Sequence, residues 1–270
     1  MSVQSHLVGL SLEGHVQFEA PWKVENISEC LFYHSIELPG HGLIDGHWDL
    51  RNCIKDYLGN QAFSGKRVID VGAASGYLSF EMEKRGGNII AFDGRDDDIN
   101  IIPYFNFEAL YGCTLDQFKQ NFSKSQKALK NSFWFCHEKL RSNVQVVYGD
   151  IYAPPKQIGQ VEYVTFGNVL LHTQNPLQVI SEFSAFATEK VIITEGLHGD
   201  ADIYGEPKLL SRISKYDAKH NPVTWWAISP AFLRQFLEVL GFNHFSINLF
   251  PAYHKLSNVW QNEFCLVATR

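Results

Sequence analysis

The chain is poor in several features that define whole classes of protein. No apolar run is long enough to span a bilayer, and Met1-Ser2-Val3-Gln4-Ser5-His6 has neither the basic start nor the apolar stretch of a secretory leader. These absences predict a cytoplasmic chain with no membrane partner. The five cysteines, Cys30, Cys53, Cys113, Cys136 and Cys265, are odd in number, scattered, and form no Cys-x-x-Cys pair. They read as buried reduced thiols, and they exclude a disulfide framework and a zinc ribbon. Positive charge is not in excess: 23 Lys and Arg stand against 29 Asp and Glu, a formal net charge of −6. That argues against a broad nucleic-acid surface, though not against a local one. Internal repeats and low-complexity tracts are also missing.

What is present is a globular composition, 45% hydrophobic and 14% aromatic over 270 residues. This length fits one large domain with embellishments, or one domain and a small second one. The texture changes along the chain. Residues 1–62 are irregular and rich in His, Gly and Trp, with one helix expected around Leu50–Leu58. From residue 63 a domain of alternating strands and helices is expected to run to residue 270. Arg67–Val71 is a short apolar run of the buried parallel type. Gly72–Gly76 is a turn, Tyr77–Arg85 has helical spacing, and Asn88–Asp93 reads as the next strand. Residues 97–143 look like a helical insertion, with helices expected over 116–129 and 132–139. Strands follow at 144–148, 161–166 and 191–194, with a helix from Asn175 or Pro176 to about Ala187. Residues 196–228 show no period and hold Trp225 and Trp226, which suggests a lid loop. Ser229-Pro230 starts a helix that stops at Gly241, and strands over 243–249 and 262–269 close the chain. The expected fold is α/β, a doubly wound, seven-stranded, mostly parallel sheet whose last strand is antiparallel.

The sharpest motif is Asp70-Val71-Gly72-Ala73-Ala74-Ser75-Gly76. A strand that feeds a glycine turn and then a helix brings backbone N–H groups and a helix N-terminus against a ligand. Dinucleotides and S-adenosylmethionine both use that geometry. The dinucleotide pattern G-x-G-x-x-G fails here at Ala74 and Tyr77, and no Lys-Ser/Thr pair follows Gly76 to make a phosphate loop. Asp93 ends the second strand, where a carboxylate with two acceptor oxygens matches a ribose diol. Asp150 follows the third strand in Gly149-Asp150-Ile151, where an acid can accept from an adenine amino group. Three acids at three successive strand ends make a purely structural turn an inferior explanation, because ligands of such sheets sit beyond the carboxyl ends.

With Gly167-Asn168-Val169-Leu170-Leu171-His172 added, these segments resemble a class I S-adenosylmethionine-dependent methyltransferase over residues 66–270. Ala74 stands where that family's middle glycine does. The resemblance implies a Rossmann-like methyltransferase fold and S-adenosyl-L-methionine as cofactor. It places Asp70, Gly72, Ala73, Ala74 and Gly76 near the methionine part, Asp93 and Gly94 at the ribose, Asp150 and Ile151 at the adenine, and Gly167 and Asn168 alongside. Phe32–Pro39, Gly46–Arg51, Phe133–Glu138 and Thr224–Trp226 are similar to a generic bacterial branch, itself distantly similar to enzymes that carboxymethylate wobble uridine in tRNA.

Methyl transfer needs alignment and a dry pocket, and a base helps when the acceptor carries a proton. His172, after the fourth strand, is the first candidate base. His34 and Tyr33 are candidates if the N-terminal segment folds over the site as a substrate-side lid, and His198 is a weaker one. His34, Glu37, His41, Asp45 and His47 match no metal-ligand spacing, so no metal is expected. Lys119, Lys124, Lys127, Lys130, Lys139 and Arg141 on the insertion read first as a solvated helix face. The leading reading is methyl transfer to a small molecule. A tRNA-modifying enzyme, a non-enzymatic S-adenosylmethionine-binding domain and a nicotinamide oxidoreductase are the alternatives. The oligomeric state is not encoded in any local pattern.

Overall fold

β-branched and aromatic runs separated by glycine turns dictate the layers of this protein. The computed structural model describes residues 16–95, 112–197, 205–211 and 224–270. In chain order the elements are strands β1 (Ile36–Leu38), β2 (Gly42–Ile44) and β3 (Trp48–Asp49), helix α1 (Ile54–Tyr57), β4 (Arg67–Val71), α2 (Tyr77–Lys84), β5 (Asn88–Asp93), α3 (Leu115–Leu140), β6 (Gln145–Tyr148), β7 (Val161–Gly167), α4 (Pro176–Ser184), β8 (Ala187–Gly196), β9 (Leu209–Ser211), β10 (Trp226–Ile228), α5 (Pro230–Val239), β11 (His244–His254) and β12 (Val259–Thr269). The large sheet has the order β3-β11-β12-β8-β7-β4-β5-β6. β8, β7, β4, β5 and β6 run parallel, and β12 is antiparallel to both β8 and β11. The seven expected strands are all present, with β3 from the N-terminal segment added as a short eighth at the edge.

Alternation along the central strands divides the core between two faces. Val68 packs with Leu78, Phe80, Phe133 and Trp134 on one side, under α1, α2 and α3. Ile69 and Val71 pack with Val179, Phe183, Leu233 and Leu237 on the other, under α4 and α5. Helix starts follow cap chemistry. The Ser229 hydroxyl accepts from the Phe232 N–H at 3.1 Å, and the Asn175 side chain accepts from the Gln178 N–H at 3.2 Å, each with Pro in the first turn.

Four expectations are corrected. The insertion carries one continuous helix, α3, not two, in its described part. Thr114 and Gln117 close a reciprocal capping box at its start. At the expected break, the Asn131 side chain accepts from Trp22 Nε1 and donates to the Glu29 carbonyl, both at 3.1 Å, while the buried Lys130 lays its ammonium 4.0 Å from the Tyr148 ring centre. The polar residues that looked like a helix break are therefore anchors to the rest of the domain. The helix near Leu50 shrinks to α1, preceded by a turn. α4 stops at Ser184, because β8 begins at Ala187 and pairs it with Val161. The stretch 196–228 is not irregular throughout: β9 pairs with β10 in a small antiparallel ribbon.

Three carboxylates are buried in the sheet: Asp70 on β4, Glu195 on β8 and Glu263 on β12. Asp70 accepts from the hydroxyls of Ser79 at 2.5 Å and Thr165 at 3.1 Å, yet burial still pushes its carboxyl up to about 6. Burial raises Glu195 to about 8, with the neighbouring Glu263 adding to the effect, and raises Glu263 to about 7. The folded chain therefore holds protons on these acids that the unfolded chain has already released. The histidine His34 works the other way, since burial lowers it to about 3, but it is neutral in both states above its ordinary range.

Two outcomes follow for stability. Between about pH 6.5 and about pH 8.5 the two glutamates ionise only in the folded state against a burial penalty, so the thermal midpoint of the ligand-free protein should fall as pH rises. Differential scanning fluorimetry should show that fall reduced in Glu195→Gln, and a midpoint that rises with pH would refute it. Gly76 has φ +86°, and a Cβ there would meet Phe80 at 2.5 Å and Phe133 at 2.6 Å. Gly76→Ala should cost about 2–4 kcal/mol in denaturant unfolding, from strain plus overpacking.

Candidate functional site

The carboxyl ends of β4, β5 and β7 open into a cavity of about 260 Å³. Its floor begins with the turn after β4. Gly72 adopts φ +79° under Val169, whose Cγ2 would lie 2.6 Å from any added Cβ, so only glycine lets the two loops approach this closely. The N–H groups of Gly72 and Ala73 both donate to the Phe92 carbonyl, at 2.8 and 3.2 Å. Ala74 takes a positive φ of 47°, and its N–H donates to Asp93 Oδ2 at 2.6 Å. Asp93 Oδ1 accepts from the Gly94 N–H at 2.7 Å. One carboxylate thus holds the turn after β4 against the end of β5.

The roof comes from the N-terminal segment. The N–H groups of Tyr33 and His34 donate to the Ser75 hydroxyl at 3.2 and 3.4 Å, which brings both side chains to the cavity. The His34 ring meets Tyr33 edge-on, with centres 4.9 Å apart, and tilts against Tyr77 at 5.7 Å. Its Nδ1 is buried without a hydrogen-bond partner among the described residues. Burial, with His47 nearby, presses its pKa down to about 3. An imidazole held neutral by burial is a weaker proton acceptor near neutrality than a free one. Burial raises the Tyr33 phenol above its ordinary range, with Trp48 as its hydrogen-bond partner, so Tyr33 stays neutral too.

The third wall follows β7. Asn168, at φ +50°, donates its backbone N–H to the Thr194 carbonyl at 2.8 Å. His172 ends a short turn over Leu170–His172 and donates its N–H to the Val169 carbonyl at 3.0 Å. The cavity therefore gathers Tyr33, His34, Gly72, Ala74, Asp93, Gly94, Ile151, Gly167, Asn168 and His172, with Phe92, Phe122 and Leu129 supplying apolar wall.

Four expected residues stand outside it. Asp70 lies beneath the floor, spent on Ser79 and Thr165. Ala73 is buried, and Gly76 caps α2 against two aromatic rings. Asp150 is exposed and its Oδ1 accepts from the Tyr152 N–H at 2.8 Å, so it shapes the turn that presents Ile151. His198 lies outside the described residues. Among those described, no group of three or more His, Cys, Asp or Glu side chains is arranged to hold a metal ion, and no helix is long and apolar enough to cross a membrane.

Sequence reasoning missed the layer behind the β7 wall. Asn168 Nδ2 donates to Tyr57 Oη at 3.2 Å and to Glu263 Oε2 at 3.1 Å. Glu195 Oε1 accepts from the Leu170 N–H at 2.9 Å. Glu195 is the last residue but one of β8, so the strand-end rule that found Asp93 could have found it. Glu263 and Tyr57 carry no local signal. A larger groove of about 1030 Å³ lies between the β1–β2 hairpin and α2, lined by charges such as Arg51, Glu81, Lys84 and Arg141. It contains neither the glycine turn nor the strand-end acids, so size does not select the site.

A model described as "Methyltransferase domain" matches residues 50–244. No curated protein sequence matches the chain. Solved structures share its fold. The N-terminal domain of EvdMO1 with SAH bound is 14% identical with a TM-score of 0.57, over 88% of this chain and 91% of that one. Magnesium protoporphyrin IX methyltransferase (ChlM) from Synechocystis PCC 6803 with bound SAH is 16% identical, TM-score 0.50, over 82% and 81%. A putative methyltransferase from Bacillus halodurans C-125 is 14% identical, TM-score 0.50, over 81% and 98%. At such identities the likeness concerns the fold, whereas the family match covers most of the chain and includes every wall of the cavity except the Tyr33–His34 roof. The chain belongs to the methyltransferase domain family, and it is an S-adenosylmethionine-dependent methyltransferase.

Proposed function

We propose that this enzyme methylates a small-molecule acceptor that enters between the β7 wall and the Tyr33–His34 roof. The observation that carries this reading is the pinning of the roof to Ser75, which encloses the cavity beside the glycine turn instead of leaving a flat face for a macromolecule. The residues present fit the cofactor. The Asp93 carboxylate lines the cavity as an acceptor suited to a ribose diol, Ile151 and Phe92 offer apolar surface for a purine, and His34 Nδ1 lacks a partner that a ligand would supply. When bound, the cofactor supplies an activated sulfonium methyl. The chain's part is to align, to exclude water and to handle a proton.

Asp93 and Gly94 hold the ribose, the turn Gly72–Ala74 faces the methionine part, and Asp150 acts only by shaping the turn at Ile151. The described part of the N-terminal segment, through Tyr33 and His34, forms the acceptor-side cover; residues 1–15, 198–204 and 212–223 of the expected lid lie outside the described residues. His172, the half-buried imidazole on the acceptor side, is the base for any acceptor that carries a proton. A tRNA acceptor, implied by the distant likeness to wobble-uridine enzymes, is the alternative. It is disfavoured by the net charge of −6 and by the burial of Lys130 among the cations of α3. Cytoplasmic residence accords with the reduced cysteines, all five of which are free.

Two measurements test this. Asp93→Asn keeps the side chain's shape but removes its charge and puts a donor where an acceptor stood. Calorimetry with S-adenosylhomocysteine should show affinity lowered about 10- to 200-fold, the effect of about 1.5–3 kcal/mol in charge-assisted hydrogen bonds. An unchanged affinity would remove Asp93 from the ribose site. Labelled S-adenosylmethionine, incubated with the enzyme and separated low-molecular-weight and tRNA fractions of a cell extract, should transfer label to the former. Transfer to tRNA alone would overturn the small-molecule reading. In the same assay His172→Ala should lower the turnover rate about 10²- to 10⁴-fold with cofactor affinity retained.

A further inference from the structure

The acceptor end of the cavity has a polarity that its lining residues alone do not reveal. Asn168 lines the cavity, but its amide nitrogen faces the protein. The two N–H bonds of Nδ2 are both committed, one to Tyr57 Oη at 3.2 Å and the other to Glu263 Oε2 at 3.1 Å. The amide nitrogen faces Glu263, the orientation that an ionised carboxylate selects because it only accepts. The carbonyl oxygen Oδ1 is then the atom left for a ligand, since the described hydrogen bonds of this side chain both run through Nδ2.

Behind this amide lies uncompensated acid. Glu263 pairs across the β12–β8 ladder with Gly196, beside Glu195, and both carboxylates are buried. Among the described residues neither has an ion-pair partner, and the only hydrogen bonds they receive come from Asn168 and from the backbone around Leu170. Two buried like charges ionise in separate steps, and at about pH 8 Glu263, held near 7, has lost its proton. Its charge polarises the Asn168 amide and strengthens Oδ1 as an acceptor.

We propose that Glu263, acting through Asn168, makes the acceptor end of this cavity a hydrogen-bond acceptor backed by negative charge, and that the methyl acceptor is therefore an amine nitrogen and not a carboxylate. The inference rests on the small-molecule methyltransferase reading above and specifies its substrate class. In it Asn168 Oδ1 accepts from an N–H of the substrate and aims the nitrogen, while the field of the glutamates favours positive charge there and repels anions. Glu263 touches no ligand and is a positioning residue.

The probe is sinefungin, which carries an amine where the cofactor carries its sulfonium methyl, measured against S-adenosylhomocysteine, which carries nothing there. Calorimetry at about pH 8 should find sinefungin about 5- to 50-fold tighter on the wild type. Glu263→Gln preserves an acceptor for Nδ2 and removes the charge. It should cut that preference about fivefold or more while S-adenosylhomocysteine affinity stays within about twofold. If Glu263→Gln does not fold, Asn168→Gly suits the positive φ and deletes the amide, and it should lose the preference too. A wild type with no preference for sinefungin, or a preference that survives these substitutions, overturns the inference and leaves the methyltransferase reading standing. Failure of the wild type to bind either compound overturns both.

Discussion

The site depends on one carboxylate. Asp93 accepts from Ala74 on the turn after β4 and from Gly94 on its own strand end. Without it, Ala74 would have no compensation for a backbone conformation that costs a non-glycine residue roughly 1–2 kcal/mol. The same carboxylate lines the cavity, so the proposed ribose contact ties cofactor recognition to the side chain that holds the fold. Nearby, Asp70 performs the purely architectural half of such a task, since its hydrogen bonds go to Ser79 and Thr165 and none is left for a ligand.

The buried acids show how a binding site is bought at the expense of stability. Asp70, Glu195 and Glu263 are all raised above their ordinary ranges by burial. Hydrophobic residues in their places would serve the core better. Glu195 and Glu263 instead brace the loop after β7, one through the backbone at Leu170 and the other through the Asn168 amide. Asn168 and His172 both sit on this braced loop, and loop side chains without such bracing are less well ordered than those on strands.

The N-terminal segment is integral to the domain. Its strand β3 extends the sheet beside β11, Trp22 stacks near Trp134 with ring centres 5.2 Å apart, and Ser75 receives both Tyr33 and His34. The family match begins at residue 50, so the Tyr33–His34 roof lies outside the matched stretch.

The sequence by itself determined the sheet. Short apolar runs ending in glycine turns and acids specify parallel strands, and their carboxyl ends locate the ligand side before any coordinates are known. Asp93, the turn Gly72–Ala74 and the approach of Tyr33, His34 and His172 were legible because each sits at a strand end or in a conspicuous aromatic cluster. Tertiary structure alone decided what each polar group faces. Asp70 and Asp150 looked equivalent to Asp93 in one dimension, yet Asp70 points into the core and Asp150 into solvent, because strand alternation and turn shape fix direction only once neighbouring strands are in place. Asn131 read as a helix break and proved an anchor, because Trp22 lies 109 positions away in sequence and next to it in space. The burial of the His34 ring, which lowers its pKa by desolvation, is a property of the packed interior that no local pattern carries.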